Sequence, residues 1–102
     1  MSDAEFARLV ADLLRHGERE WVEFKHDNAA PDMIGETAAA LANAAAYHDE
    51  PFGYLLWGVE DGSRQVVGTS YDPKTAKVGG ADLELWLSTQ LKPPVEVFFR
   101  RG

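Results

Sequence analysis

The sequence predicts an α+β domain of α/β-like character, in which about three helices pack on a mixed β-sheet. Two observations predict this class. Segments with helical apolar spacing alternate with short apolar segments typical of strands, and 102 residues suffice for one domain with a single modest core. Cysteine is absent, which excludes disulfides and thiolate metal sites and favours a cytoplasmic location. No apolar run approaches the ~20 residues of a membrane-spanning helix, so no membrane association is expected.

The first helix is predicted over residues 4–16. Ser2 and Glu5 have the spacing of a capping box, in which each side chain bonds to the backbone N–H of the other residue. Apolar residues then recur at helical spacing, and Gly17 favours the end of the helix because glycine adopts positive φ angles without steric cost.

Two further helices are predicted later in the chain. Pro31 suits the first turn of a helix that continues over residues 32–47, and the alanine-rich face of this segment predicts a close approach to a sheet. A third helix is expected over residues 81–91, where Pro93 and Pro94 end it because proline cannot continue a helix.

Four segments have the composition of strands: residues 21–25, 52–59, 65–68 and 95–99. The second segment is continuously apolar, which predicts burial on both faces, and the third is typical of the returning arm of a hairpin. In the first segment, a period of two places Val22 and Phe24 on one face. The opposite face would carry Trp21, Glu23 and Lys25.

The overall charge argues against a protein that binds nucleic acid by charge alone. The formal net charge is −7 and the isoelectric point is about 4.8. Phosphate backbones are bound mainly by Lys and Arg, which displace counterions, and the 10 basic residues of this chain are scattered. A role with nucleic acid would therefore need a local basic stripe, a bound divalent metal or another domain.

Glu23 and Lys25 leave the same face of the predicted strand, where the carboxylate could hold a divalent ion while the ammonium group neutralises a phosphate oxygen. Glu18 and Asp61 could complete a hard-oxygen site of the kind that Mg²⁺ or Mn²⁺ prefers. The alternative is a surface ion pair on an edge strand, together with a turn at Asp61 and Gly62. On spacing alone this alternative is favoured, because three-residue motifs recur by chance.

Two other kinds of site are weighed and set aside. Residues 68–75 nearly match a phosphate-binding P-loop, but Pro73 stands where the second glycine is needed and has no N–H to offer, so no ATP site is expected. The histidines lack the spacing of metal ligands. They are interpreted as solvated or interface residues: His16, His26 and His48.

The three tryptophans differ in their expected surroundings. Trp57 lies in the apolar strand and Trp86 lies on the apolar face of the third helix, so both are interpreted as core residues. Trp21 is predicted to face the same way as the charged residues of the first strand. It is therefore the candidate for stacking on a base.

Four separated blocks of the sequence resemble one known family. They are Glu18-x4-Glu23-Phe24-Lys25, the alanine-rich helix up to Asn43, the run Tyr-Leu-Leu-Trp-Gly-Val-Glu-Asp-Gly over residues 54–62, and Val67-Gly68. In this order they resemble the Schlafen AlbA-like domain family, also called AlbA_2 or divergent AAA, a family of DNA-binding domains. The resemblance covers residues 14–71, and weaker agreement extends through the third helix.

The resemblance implies an α/β fold and association with nucleic acid. It also implies that the domain is one module of a larger protein, either a regulator, for example of transcription, or a helicase-like protein. In the branch of the family that cuts structured RNA, the acidic triad falls on Glu18, Glu23 and Asp61. These would be the catalytic residues and the ligands of a divalent metal, and Lys25 would contact a phosphate. Those nucleases enclose RNA with two lobes rich in basic residues, whereas this single lobe is acidic, so cleavage is not the leading hypothesis.

Three hypotheses about function remain. The first is a DNA- or RNA-binding regulatory module that is not catalytic on its own, with contacts from Arg19, Trp21, Lys25 and Asn43. The second is a metal-dependent RNA endonuclease that uses the acidic triad. The third is a protein-interaction module in which residues 95–99 present an open strand edge to a second copy and form a homodimer. Because the sequence stops just after this segment, we expect a fragment of a longer protein with a further domain.

Overall fold

Two parallel strands and the helix that joins them form the centre of the fold. The structure is a computed structural model that describes residues 1–60, 62–91 and 95–102. Strand β1 (Val22–Lys25) pairs with β2 (Tyr54–Trp57), and α2 (Pro31–Tyr47) makes the crossover between them. Parallel neighbours need such a crossover because the chain must return to the starting end of the sheet. The carboxyl end of α2 therefore lies near the residues that precede β1.

The predicted first helix is confirmed as α1 (Asp3–His16). Ser2 and Glu5 form the capping box, and at the other end the N–H of Gly17 donates to the carbonyl oxygen of Leu13. Gly17 has a φ of 80°, which a residue with a Cβ atom adopts only with strain. Apolar residues of α1 cover one face of the parallel strands, where the first core cluster consists of Leu13, Val22, Phe24 and Val59.

The alanine-rich helix α2 approaches the parallel strands closely, as predicted. A Cβ atom at Gly53, the residue before β2, would lie only 2.7 Å from the carbonyl oxygen of Leu41 and 2.8 Å from its Cβ atom. Real Cβ atoms do not come so near to backbone atoms. The missing side chain of Gly53 therefore sets how closely helix and strand can pack.

The second core cluster lies between α2 and α3 (Leu83–Gln90). Half-buried Trp57 and Trp86 pack against this cluster, which confirms both as core residues. Its buried members are Ile34, Leu83, Leu87 and Leu91.

Helix α3 is shorter than the helix predicted over residues 81–91. The antiparallel pair of β3 (Lys77–Val78) and β4 (Ala81–Asp82) takes the first two of those residues. This short pair lies in a stretch without a strand prediction, because two-residue strands leave no periodic signal. Pro93 and Pro94, which were expected to end the helix, lie outside the described residues.

The described residues confirm the α+β class, with three helices and two small sheets. The sequence predicted one mixed sheet. Instead, the parallel pair and the antiparallel pair form two separate sheets. Within the described ranges, none of the helices is long and apolar enough to cross a membrane.

The strand predicted over residues 95–99 is wrong for the described part of the chain. Val95, Val97 and Phe99 are half-buried against the second core cluster, whereas Phe98 is 75% exposed. The apolar alternation thus reports burial correctly, but these residues pack on side chains and join neither of the two sheets. The homodimer through this segment stays a prediction.

Two other strand predictions are corrected. Strand β2 occupies four residues of the predicted 52–59, and all four are half-buried instead of buried on both faces, since within the described residues no further strand covers the edge of β2 that faces away from β1. The expected returning arm over residues 65–68 makes a single antiparallel bridge, between Val59 and Val66. Val66 is 62% exposed, so little apolar burial is available to extend that bridge into a strand.

Candidate functional site

A tight turn directly before β1 positions the tryptophan that the sequence singled out. The N–H of Arg19 donates to the carbonyl oxygen of Val22 over 3.1 Å, and the N–H of Val22 donates to the carbonyl oxygen of Arg19 over 3.0 Å. Trp21 therefore lies in a turn and not in the strand predicted over residues 21–25. Its direction follows from the turn, so the strand alternation that grouped it with the charged residues of β1 does not apply.

Four side chains meet around this turn in what we call the cation–aromatic row: Arg19, Trp21, His48 and Tyr47. The guanidinium carbon of Arg19 lies 5.4 Å from the centroid of the Trp21 ring, within the range of cation–π attraction. The ring centroids of Trp21 and His48 are 4.9 Å apart, and those of His48 and Tyr47 are 5.1 Å apart. Because Tyr47 and His48 end α2, the row joins the crossover helix to the turn.

The row combines one fixed ring with one exposed ring. The Nε2 atom of His48 lies 3.1 Å from the Oε2 atom of Glu20, and the backbone N–H of His48 donates to the carbonyl oxygen of Ala44. Tyr47, in contrast, is 84% exposed. The row therefore offers an aromatic surface that a ligand can reach.

Basic residues collect at the carboxyl end of α1, directly before the turn. Arg64 reaches this end and donates to two carbonyl oxygens in the last turn of the helix, at 3.0 and 3.4 Å. The hydrogen bond from Arg15, and then the positive charges of His16 and Arg19, hold the pKa of Asp12 below its ordinary value. Four basic residues thus gather at this end of the acidic chain, beside the carboxylates of Asp12, Glu18 and Glu20. We call these four residues the basic end: Arg15, His16, Arg19 and Arg64.

Two of the three acidic residues predicted as metal ligands lie at β1. A carboxylate oxygen of Glu18 accepts the N–H of Phe24 over 3.1 Å, which holds Glu18 beside the strand. The carboxylate of Glu23 pairs with the ammonium group of Lys25 over 3.4 Å, and both side chains are about one-third exposed, at 34% and 31%. The third residue, Asp61, lies outside the described residues.

The carboxylates at β1 have the chemistry of Mg²⁺ or Mn²⁺ ligands, because hard cations prefer oxygen donors. One oxygen of Glu18 already accepts a backbone N–H, and the charge of Glu23 is balanced by Lys25. Within residues 1–60, 62–91 and 95–102, no three His, Asp or Glu side chains are grouped so that they could hold a metal ion. A triad that includes Asp61 stays a prediction.

The residues predicted to contact nucleic acid divide between two places. Arg19 and Trp21 lie before the amino end of β1, whereas Lys25 is its last residue, so the length of the strand, roughly 10 Å at a rise of ~3.3 Å per residue, separates them. Asn43 is exposed on α2, one helical turn before Tyr47. Asn43 thus neighbours the cation–aromatic row, while Lys25 lies with the carboxylates of β1.

The family of the chain follows from a comparison with protein-family models. The family described as Schlafen, AlbA_2 matches residues 18–101, a range that contains both parallel strands, α2 and α3. The chain belongs to the Schlafen AlbA-like family. This match confirms the family predicted from the four sequence blocks. Comparisons with curated proteins and with solved structures gave no match.

Two residues of the cation–aromatic row in this Schlafen AlbA-like domain are absent from the contacts predicted by sequence. His48, interpreted there as a solvated or interface residue, contacts Trp21 and Glu20, and Tyr47 was not singled out. The available signal was topological. A crossover helix between parallel strands ends near the start of the first strand, so aromatic residues in its last turn are candidates for contact with residues that precede that strand.

Proposed function

We propose that this Schlafen AlbA-like domain is a nucleic-acid-binding module that acts in regulation and is not catalytic on its own. The observation that carries the proposal is the cation–π contact between Arg19 and Trp21, which His48 continues. Bases stack on aromatic rings and on guanidinium planes, and cations bind phosphate oxygens. One row of side chains therefore offers both kinds of contact.

The local distribution of charge supports the proposal, although the whole chain carries a net charge of −7. Interactions between exposed charges are largely screened beyond about 8 Å at physiological ionic strength. A phosphate that approaches the cation–aromatic row therefore responds mainly to the charges near it, which are the basic end and the carboxylates of Glu20, Asp49 and Glu50, and much less to the rest of the chain. Arg19 belongs to both surfaces, so its removal tests both of them at once.

Fluorescence anisotropy with labelled DNA and labelled tRNA at low salt tests the proposal. We expect Arg19→Ala to weaken binding about 5- to 10-fold, because an exposed cation–π or phosphate contact contributes about 1 kcal/mol. The matched control is Arg8→Ala, which removes the same charge from an exposed position on α1 and should leave the affinity nearly unchanged. Absence of binding to both polymers by the unmodified protein, with and without Mn²⁺, would contradict the proposal.

A second candidate function is the hydrolysis of an RNA phosphodiester with a divalent metal. The observation that favours it is the hydrogen bond from the N–H of Phe24 to the Glu18 carboxylate, because it fixes one acidic side chain beside the strand that carries Glu23. Both carboxylates would hold Mg²⁺ or Mn²⁺ together with Asp61, and Lys25 would contact the phosphate. A bound divalent ion polarises a phosphoryl oxygen and supplies an activated water.

Incubation of labelled tRNA with the protein and Mn²⁺ tests the second candidate. We expect Glu23→Gln to abolish cleavage because an amide lacks the charge that attracts the metal, and Glu36→Gln, an exposed change on α2, to leave cleavage intact. Glu18→Gln keeps an oxygen that can accept the N–H of Phe24. Its melting temperature should therefore stay near that of the unmodified protein. It should still lose activity, because the amide lacks the charge that attracts the metal. Cleavage by Glu23→Gln at the original rate would exclude the triad.

A further inference from the structure

The ring of Tyr47 is the most exposed part of the cation–aromatic row. The residue is 84% exposed, although burial of an aromatic side chain is strongly favourable. It meets the His48 ring at an angle of 85°, with 5.1 Å between the centroids. A contact on one side and solvent elsewhere leave the phenol ring accessible to a planar ligand.

The backbone beneath this ring is fixed. Glu20 holds the imidazole of His48, which packs between Trp21 and Tyr47. Three backbone N–H groups close the end of α2 by donating to carbonyl oxygens in its last turns, and they belong to His48, Asp49 and Glu50. A ligand therefore meets a ring carried on a fixed backbone, so no backbone ordering is needed when the complex forms.

We infer that the ligand of this surface is an unpaired nucleotide whose base stacks on Tyr47, an inference that rests on the proposed nucleic-acid binding. Inside a duplex both faces of a base are covered by its neighbours, so the base cannot reach an aromatic side chain without being displaced. An unpaired base has a free face. Arg19, at the other end of the row, contacts the phosphate of the same strand.

The charges around the row also favour a single strand over a duplex. Glu20 lies within the turn, and Asp49 and Glu50 directly follow His48. Duplex DNA carries one negative charge per ~1.7 Å of its length, whereas a single strand of the duplex carries one per ~3.4 Å. These carboxylates therefore repel a single strand less than a duplex, while the stacking contact does not depend on net charge.

Anisotropy measurements with labelled oligo(dT), labelled oligo(U), and DNA and RNA duplexes of matched length test the inference. We expect the unmodified protein to prefer the single strands, and Tyr47→Ala to weaken that binding about 5- to 150-fold, the range for one lost base–aromatic stack. Tyr47→Phe keeps the ring and should retain the affinity. The matched control is Leu85→Ala, at a residue that is 59% exposed outside the row. Circular dichroism verifies that each variant is folded.

The salt dependence gives an independent readout. If two phosphates are contacted, the logarithm of the affinity for oligo(U) should fall with the logarithm of salt concentration with a slope of about −1.4. A stronger preference for duplexes, or full-strength single-strand binding by Tyr47→Ala, would overturn the inference and leave the proposed function standing. If none of the four probes binds, the proposed function fails and the inference fails with it. Tighter binding of either single strand than of the duplexes supports the inference.

Discussion

One exposed carboxylate, that of Asp12, organises the carboxyl end of α1. It accepts a hydrogen bond from Arg15 over 2.6 Å, and the positive charges of His16 and Arg19 also act on it. These contacts favour the ionised carboxylate and therefore hold the pKa of Asp12 below its ordinary value. Asp12 thus orients Arg15 and offsets part of the charge of the basic end, close to the surface proposed to bind nucleic acid.

The lowered pKa of Asp12 should make stability depend on pH in acid. Because the folded pKa lies below the unfolded value, the ionised carboxylate stabilises the fold above the unfolded value, and this contribution is lost as the pH falls through the lowered folded pKa. We expect Asp12→Asn to lower the melting temperature at neutral pH, and to lower it less in acid below the ordinary pKa of an Asp carboxyl, where protonation weakens the contacts of the unmodified protein. Circular dichroism measures both, with Glu36→Gln as the carboxyl control. An equal difference at both pH values would contradict this account.

Trp21 could be selected from the sequence, but its surroundings could not. A tryptophan next to Arg19 and directly before a short apolar strand is a local signal for an aromatic surface residue. Its contact with His48 depends on the path of the chain, since His48 lies far along the sequence, 28 residues after the neighbouring Glu20. The candidate site could therefore be predicted in part, namely the residues near β1, while the residues that α2 contributes required the fold.

Elements with strong local signals could be predicted from the sequence almost to their ends. The capping box of Ser2 and Glu5 begins α1, and Pro31 begins α2. For residues 95–99 the same reasoning predicted a strand that the described residues do not form. Alternation depends on which side chains are buried, whereas a strand also needs a backbone partner, and no local pattern specifies that partner.

The close approach of α2 and β2 should make Gly53 sensitive to substitution. In Gly53→Ala the new Cβ atom would overlap with the backbone of Leu41, so we expect a loss of about 1–3 kcal/mol in the free energy of unfolding. The matched control is Gly35→Ala in the interior of α2, where a Cβ atom would meet its nearest neighbour at an ordinary 3.9 Å.

The control change should be neutral or should stabilise the protein by up to about 1 kcal/mol, because alanine favours the helix. Urea denaturation measures both variants. If Gly53→Ala were as stable as Gly35→Ala, the contact between helix and strand would not be as tight as the structure indicates.

On the scale of the whole molecule, exposed apolar residues surround a groove of about 350 Å³ between α2, β2 and residues 95–99. Phe52 and Phe98 line this groove and are 53% and 75% exposed. Exposed apolar patches often mark contacts between proteins. The homodimer predicted from residues 95–99 would use this surface, with side-chain packing in place of the strand pairing expected from the sequence.

Sedimentation equilibrium tests self-association. If the groove forms the dimer contact, the unmodified chain should dimerise at high concentration, and Phe98→Ser should shift it to the monomer because a large apolar contact is lost. Leu85→Ser is the matched control, since Leu85 is 59% exposed on α3 and does not line the groove. A monomer at every concentration would count against the predicted homodimer, and equal effects of the two changes would count against this surface.

The first helix gives the domain a boundary that sequence comparison alone would miss. The family match begins at residue 18, after the end of α1, yet Leu13 is buried with Val22 and Phe24, and Arg64 closes the end of the helix. A shortened protein that starts at Glu18 would uncover the inner face of β1, and each large apolar side chain exposed there costs about 1.5–3 kcal/mol. The folding unit is therefore larger than the family match, and a soluble recombinant domain should start ahead of the capping box.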